Sequence, residues 1–192
     1  MPAESPIENA PELAAITATE IGRAEAGGNT WAVYRATARP GHNLTVTAQA
    51  RGFTLTVDEP ASFGGANAGP NPEDVVLAGV GACQMITAAL YATHPGVPIR
   101  GYQVALRGYV HLAGFYGGAG AEQPTGFNRV GCEVTIDSDA SPEQLAAFER
   151  LVEERCVGHG TLRAPVAIET SWKLAGAATA DEWRPDRCGP PC

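Results

Sequence analysis

Cys83 and Cys156 are the residues of this chain whose types and placement point most directly to chemistry. Cys83 closes the run Asn71-Pro72-Glu73-Asp74-Val75-Val76-Leu77-Ala78-Gly79-Val80-Gly81-Ala82-Cys83, which begins like a helix and continues in small and apolar residues, while Cys156 lies far downstream. A thiol is a useful nucleophile only as its thiolate. A helix N-terminus or a neighbouring cation favours that form, and apolar surroundings restrict water. The segment around Cys83 can supply both. The competing reading is a core cysteine packed as a small hydrophobe, and the helix alone leaves both open.

Other chemistry-bearing residues carry less. His159, three residues after Cys156, is a candidate proton shuttle or simply a surface loop residue. His42, His94 and His111 show no ligand spacing with a cysteine or carboxylate, so neither a metal site nor a cofactor is expected. Cys132 sits in an alternating apolar and polar run and reads as core. Cys188-Gly189-Pro190-Pro191-Cys192 has two thiols able to form or receive a disulfide, but the spacing exceeds the thioredoxin-like pair by one and no βαβ pattern surrounds it. It reads as an inert tail.

The elements that must position these residues follow from local signals. Asn71 as N-cap, Pro72 at the first helical position and Glu73-Asp74 in the first turn predict a helix start. From Val75 to Ala92 nearly every residue is apolar or small, so the helix lacks a polar face and must be buried, within a core or between subunits. Gly79 and Gly81 permit a break that would start a second helix near Cys83, or else mark close packing. Without a break, ten residues put Glu73 about 15 Å from Cys83.

Strands are predicted at Trp31 to Ala38, Leu44 to Ala50 and Phe53 to Val57, then Tyr102 to Ala113 and Phe127 to Ile136 on either side of the glycine-rich Gly114 to Gly126, with a last strand from Val166 to Leu174. Ser141-Pro142-Glu143-Gln144 opens a second helix running to about Arg155, with Leu145, Phe148, Leu151 and Val152 as its apolar stripe. Residues 1–28 read as an appendage with a short helix over Glu12 to Ala26, residues 29–175 as the domain, and residues 176–192 as a tail rich in Pro, Gly and Cys.

The chain has 192 residues, 44% of them hydrophobic and 18% charged, which is enough for one folded domain with a sizeable core. A net charge of −8 and no cluster of Lys and Arg disfavour a nucleic-acid partner. No run of eighteen apolar residues argues for a membrane span, and Met1-Pro2-Ala3-Glu4-Ser5 is not the start of a signal peptide, so the expected location is cytoplasmic. Five cysteines at irregular spacing make a poor disulfide framework and suit a reducing compartment.

Over roughly Trp31 to Leu174 these features resemble the OsmC/Ohr family, the osmotically inducible and organic-hydroperoxide-resistance proteins. The residues carrying the resemblance are Gly69-Pro70-Asn71-Pro72-Glu73 with Cys83 ten residues on, Gly114-Phe115-Tyr116-Gly117, Gly126-Phe127, and Cys156 ahead of Thr161-Leu162-Arg163-Ala164-Pro165-Val166. The resemblance implies an α+β fold, antiparallel sheets wrapped around two long helices, and an intertwined homodimer with sites at the subunit interface. By position, Cys83 would be the peroxidatic thiolate and Cys156 the thiol that resolves its sulfenic acid, with an external dithiol as reductant and no metal or haem.

Glu73 matches the acidic residue that holds an arginine against the thiolate. The loop from Glu59 to Glu73 has no arginine, which leaves Arg39 and Arg51 near the first β-turns as candidates, Arg51 being preferred. Val157 replaces the family's proline after the resolving cysteine. The expected activity is reduction of organic hydroperoxides, with an apolar pocket from Val80, Ile86, Phe63 and Phe115. The rivals are a cysteine nucleophile acting on another small apolar electrophile, as a hydrolase or transferase, and a non-catalytic binder of an apolar ligand.

Overall fold

A computed structural model describes residues 10–27, 30–94, 96–119, 122–172 and 174. Along the chain these form α1 (Ala10–Glu25), β1 (Ala36–Pro40), β2 (Val46–Ala50), β3 (Phe53–Val57), α2 (Pro72–Thr93), β4 (Ile99–Val110), α3 (Leu112–Tyr116), β5 (Phe127–Ser138), α4 (Pro142–Arg155) and α5 (Val157–Arg163). The strands make two antiparallel sheets, β1-β2-β3 and β4-β5, and this α+β arrangement is the one expected.

The long helix α2 starts where its caps dictate: the Asn71 side chain accepts from the Asp74 N–H at 2.8 Å, with Pro72 at the first helical position. The preceding segment is pinned by buried Asp58, whose carboxylate accepts from the N–H groups of Glu59, Ala66 and Ala68 at 2.9, 3.0 and 3.1 Å. Those N–H groups, Ala68 foremost, hold the Asp58 carboxyl below its ordinary value. At Gly69 a Cβ would collide with the Thr56 carbonyl oxygen, so only glycine lets the chain pass β3 on its way to the helix.

α2 packs against β4, α4 and α5. Ala88 and Ala92 of α2 meet Phe148 and Val152 of α4 in the core, with Tyr102 and Ile136 of the β4-β5 sheet against them. Phe148 and Val152 are nearly fully buried, each burial worth about 1.5–3 kcal/mol. A capping box fixes the start of α4, Ser141 accepting from the Gln144 N–H and Gln144 returning the bond to the Ser141 N–H. By length and composition α2 could cross a membrane; it packs against the β4-β5 sheet and against α1, α4 and α5 along one side, with a third of its apolar span buried.

Several expectations need correction. α2 runs unbroken to Thr93, so Cys83 is not at a new helix start. The cost of two glycines, about 1 kcal/mol each, does not outweigh a continuous hydrogen-bond ladder. Gly81 is there for packing, since a Cβ would lie 2.8 Å from Leu106 Cδ1, whereas Gly79 faces open space. The helix is also less buried than its composition suggests: Val76 and Ile86 are 44% and 62% exposed.

The first strand begins at Ala36 rather than Trp31, and the second at Val46. β4 ends at Val110 after a ladder irregularity, and part of the expected glycine-rich loop forms α3. Residues 166–172 and 174 form no strand; no ladder reaches them among the described residues, and Ile168 and Trp172 are 87% and 93% exposed. α1 was anticipated within one or two residues, and it lies against α2. The Cys188 to Cys192 tail and residues 1–9 lie outside the described residues.

Candidate active site

Cys83 and Cys156, far apart in sequence, come together where α2 passes the junction of α4 and α5. Cys156 ends α4, its extended backbone (φ −71°, ψ 111°) then serving as the N-cap of α5, and the residue is 2% exposed. The two side chains are neighbours, close enough for Cys83 to push the Cys156 thiol up. Gly158, in the first turn of α5, donates its N–H to Cys83 Sγ at 3.3 Å.

That contact exists because residue 158 is glycine. A Cβ there would stand 3.1 Å from Val80 Cα and 3.2 Å from Cys83 Cβ, so α5 rests directly on α2. Burial pushes the Cys156 thiol up; the His159 N–H opposes this, contact with Cys83 adds to it, and the Gly158 N–H again opposes it. Cys156 therefore keeps its proton more firmly than an ordinary thiol, within reach of N–H groups that can stabilise sulfur charge when the proton leaves.

The electrostatic help sought from a break in α2 is supplied instead by a separate segment. No local signal reveals it: α5 is seven residues, two of them glycine, and was not predicted as a helix. Gly158 is the functional residue that sequence reasoning missed most clearly.

Glu73 is not beside Cys83. Ten residues of unbroken helix separate them by about 15 Å. Glu73 instead lies between two cavities. One, of about 650 Å³, is lined by Glu73, Val80, Arg129, Cys132, His159 and Arg163, among others. The other, of about 460 Å³, is largely apolar and aromatic, with Leu44, Phe63, Leu112, Phe115 and Tyr116 around Glu73. Glu73, Val110 and Thr125 line both.

Phe63 and Phe115 therefore share a pocket as expected, Val80 belongs to the neighbouring one, and Ile86 lines neither. Arg51 occupies the β2-β3 turn with a left-handed φ of 54° and stacks over the Phe53 ring at 5.5 Å. Arg51 and Arg39, the latter on β1, line neither cavity. The guanidinium groups that share a cavity with Glu73 belong to Arg129, which stacks on Tyr109 at 5.4 Å, and Arg163. Arg163 was visible in the Thr161-Leu162-Arg163 run but had been given no role.

Cys132, expected in the core, is instead an exposed residue in the wall of the larger cavity. Its thiol donates to Oε1 of Gln84, which is 3% exposed, at 3.1 Å. Desolvation of the sulfur nonetheless pushes this thiol up, the Gln84 bond working against it. Among the described residues no group of three or more His, Cys, Asp and Glu is placed to hold a metal ion.

Against known proteins, the family model described as OsmC-like protein matches residues 64–171. The structure is similar to that of an OsmC-like protein from Mycoplasma pneumoniae, with 25% identity, a TM-score of 0.60, and 69% of this chain and 88% of that one covered. An organic hydroperoxide resistance protein OsmC from Legionella pneumophila matches at 19% identity and a TM-score of 0.54, over 70% of this chain and 92% of that one. Another, from Elizabethkingia anophelis with thiocyanate bound, matches at 19% and 0.55, over 70% and 91%. Among curated proteins none matches the sequence.

Proposed function

The chain belongs to the OsmC-like family, and on that premise we propose that it is a thiol peroxidase reducing organic hydroperoxides through Cys83 and Cys156. The observation that carries this reading is the Gly158 N–H on the Cys83 sulfur at 3.3 Å, donated from the first turn of the helix that Cys156 caps, which brings the two cysteines side by side. Two structural neighbours bear the description organic hydroperoxide resistance protein, which agrees with it.

In this reading the Cys83 thiolate attacks the distal peroxide oxygen. The O–O bond breaks, an alcohol leaves after taking up a proton, and Cys83 becomes a sulfenic acid. Cys156 then attacks the Cys83 sulfur, water departs, and a disulfide forms that protects Cys83 from further oxidation. An external dithiol reduces it. The closeness of the two cysteines makes the second step a local one, and the proton that burial keeps on Cys156 holds this thiol in reserve until Cys83 is oxidised.

The aromatic cavity beside Glu73 suits an apolar peroxide substituent. The exposed apolar side chains Val76 and Ile86 on α2, and Ile168 and Trp172 after α5, are surface that a second copy of the chain would cover in a homodimer. The deciding experiment is rapid mixing with an organic hydroperoxide followed by disulfide mapping. Fast loss of two thiols per chain with a Cys83–Cys156 linkage supports the reading, and slow loss without it rejects the reading.

A further inference from the structure

A third thiol stands at this pair, outside the two-cysteine cycle. Cys132 on β5 pairs directly with Leu106 on β4, so the two side chains share the sheet face turned to α2. Leu106 meets α2 at Gly81 and Cys132 meets it at Gln84, the residues that flank Cys83. The sheet row thus crosses α2 at the height of the peroxidatic sulfur.

The cavities give the same placement. Cys132 lines the 650 Å³ cavity with Val80, Glu153 and His159, and a second cavity of about 200 Å³ with Gln84, Val152 and Glu153. Those residues bracket Cys83 on α2 and Cys156 at the end of α4. Cys132 therefore lines two cavities whose walls include neighbours of both cysteines. Cys132 and Cys156 are also close enough for charge on one sulfur to be felt at the other.

Access differs sharply among the three. Cys156 is 2% exposed, Cys83 is half-buried beneath α5, and Cys132 is exposed. The buried Gln84 amide, accepting from the Cys132 thiol, holds that sulfur on the α2 side of its strand.

We propose that Cys132 is a relay thiol, which takes over the Cys83–Cys156 disulfide and presents it to the external dithiol in the open cavity. The inference rests on the peroxidase reading above. Cys132 loses its proton to solvent in the cavity and its thiolate attacks the Cys156 sulfur. The Cys132–Cys156 bond forms, the Cys83–Cys156 bond breaks, and Cys83 leaves as the thiolate. The exchange is redox-neutral within the protein. The external dithiol then attacks Cys132, the one of the three cysteines that lines the 650 Å³ cavity, and a second attack closes its own disulfide and frees both protein thiols. Cys83 is meanwhile available to a second peroxide before the first disulfide has been reduced.

The test uses the full chain with Cys188→Ser and Cys192→Ser, so that tail thiols cannot contribute. tert-Butyl hydroperoxide is added without reductant, the reaction is acid-quenched and alkylated at intervals, and linkages are mapped by mass spectrometry. Expected are a Cys83–Cys156 linkage first, a Cys132–Cys156 linkage after it, and fast consumption of a second equivalent of peroxide per chain. Adding Cys132→Ser, or separately Cys132→Ala with folding verified by circular dichroism, should leave the first equivalent equally fast and abolish the second. A Cys83–Cys156 linkage that persists alone, with the same stoichiometry in all variants, overturns the relay and leaves the peroxidase reading standing. No Cys83–Cys156 linkage at any time overturns both.

Discussion

Gly158→Ala is the sharpest test of how the site is built, because it substitutes neither cysteine and adds one methyl group at a known contact. The new Cβ would lie 3.1 Å from Val80 Cα and 3.2 Å from Cys83 Cβ, where about 3.4 Å or more is comfortable, so α5 must recede from α2 by a few tenths of an ångström. Overpacking of this kind costs about 1–3 kcal/mol, or roughly 2–10 °C in melting temperature for a chain of this size. The 3.3 Å bond from the Gly158 N–H to Cys83 Sγ lengthens with it. A hydrogen bond to a charged group is worth about 1.5–3 kcal/mol, and forfeiting around 1 kcal/mol of it slows attack about fivefold.

Stopped-flow measurement of thiol loss with tert-butyl hydroperoxide reads the rate, and differential scanning calorimetry reads stability. Gly160→Ala is the control, since nothing lies within 4 Å of a Cβ there, and it should leave the rate unchanged while gaining up to about 1 kcal/mol of helix propensity. A destabilised Gly158→Ala protein that still oxidises at the unaltered rate would refute the role given to the Gly158 N–H. An unaltered melting temperature would refute the packing argument beneath it.

Cys83→Ser should abolish peroxide turnover with little change in packing, and retained turnover in a steady-state assay would remove Cys83 from the mechanism. Cys156→Ser should leave the first oxidation intact but expose Cys83 to sulfinic acid, so that intact-mass spectra without that over-oxidation would argue against Cys156 as resolving thiol. Asp58→Asn should loosen the segment leading into α2, seen as faster amide exchange at Ala66 and Ala68. Because the folded Asp58 carboxyl lies below its ordinary value, its stabilisation is present above about pH 4, the unfolded value, and is lost as pH falls through the lower folded one. The wild-type protein should show this acid transition in urea denaturation and Asp58→Asn should not. Arg163→Met should slow thiol oxidation by roughly tenfold, the value of one charge-assisted hydrogen bond, while Arg51→Met leaves it within about twofold; the reverse order in the same stopped-flow assay would return the role to Arg51.

Local signals made the three long helices, α1, α2 and α4, and most strands legible. The start of α2 rests on Asn71, Pro72 and two carboxylates, and the start of α4 on a capping box, all contained within four residues. The β2-β3 hairpin was equally legible, since the Arg51-Gly52 turn separates two short alternating runs. Features that need a distant partner were misread. The Val166 to Leu174 run alternates like a strand, but a strand requires a neighbour, and among the described residues none pairs with it. Cys132 was assigned to the core from its alternation alone, which cannot say whether the covered face of a two-stranded sheet is closed or opens into a cavity.

The candidate site divides along the same line. The two cysteines that the structure brings together were legible, because a cysteine announces itself by type. What tunes them was sought nearby in sequence, in a break at Gly79 and Gly81 that would have given Cys83 a helix start of its own. The structure keeps α2 whole and brings another helix start to it: Cys156 caps α5, and the first turn of α5 turns an N–H to Cys83. One short segment thus couples the two thiols. The residue that fixes the second sulfur also begins the helix whose backbone contacts the first, so a shift of α5 must alter both together. In the proposed cycle, disulfide formation would pull on that same segment, so the geometry proposed to activate Cys83 is also the geometry that oxidation would change.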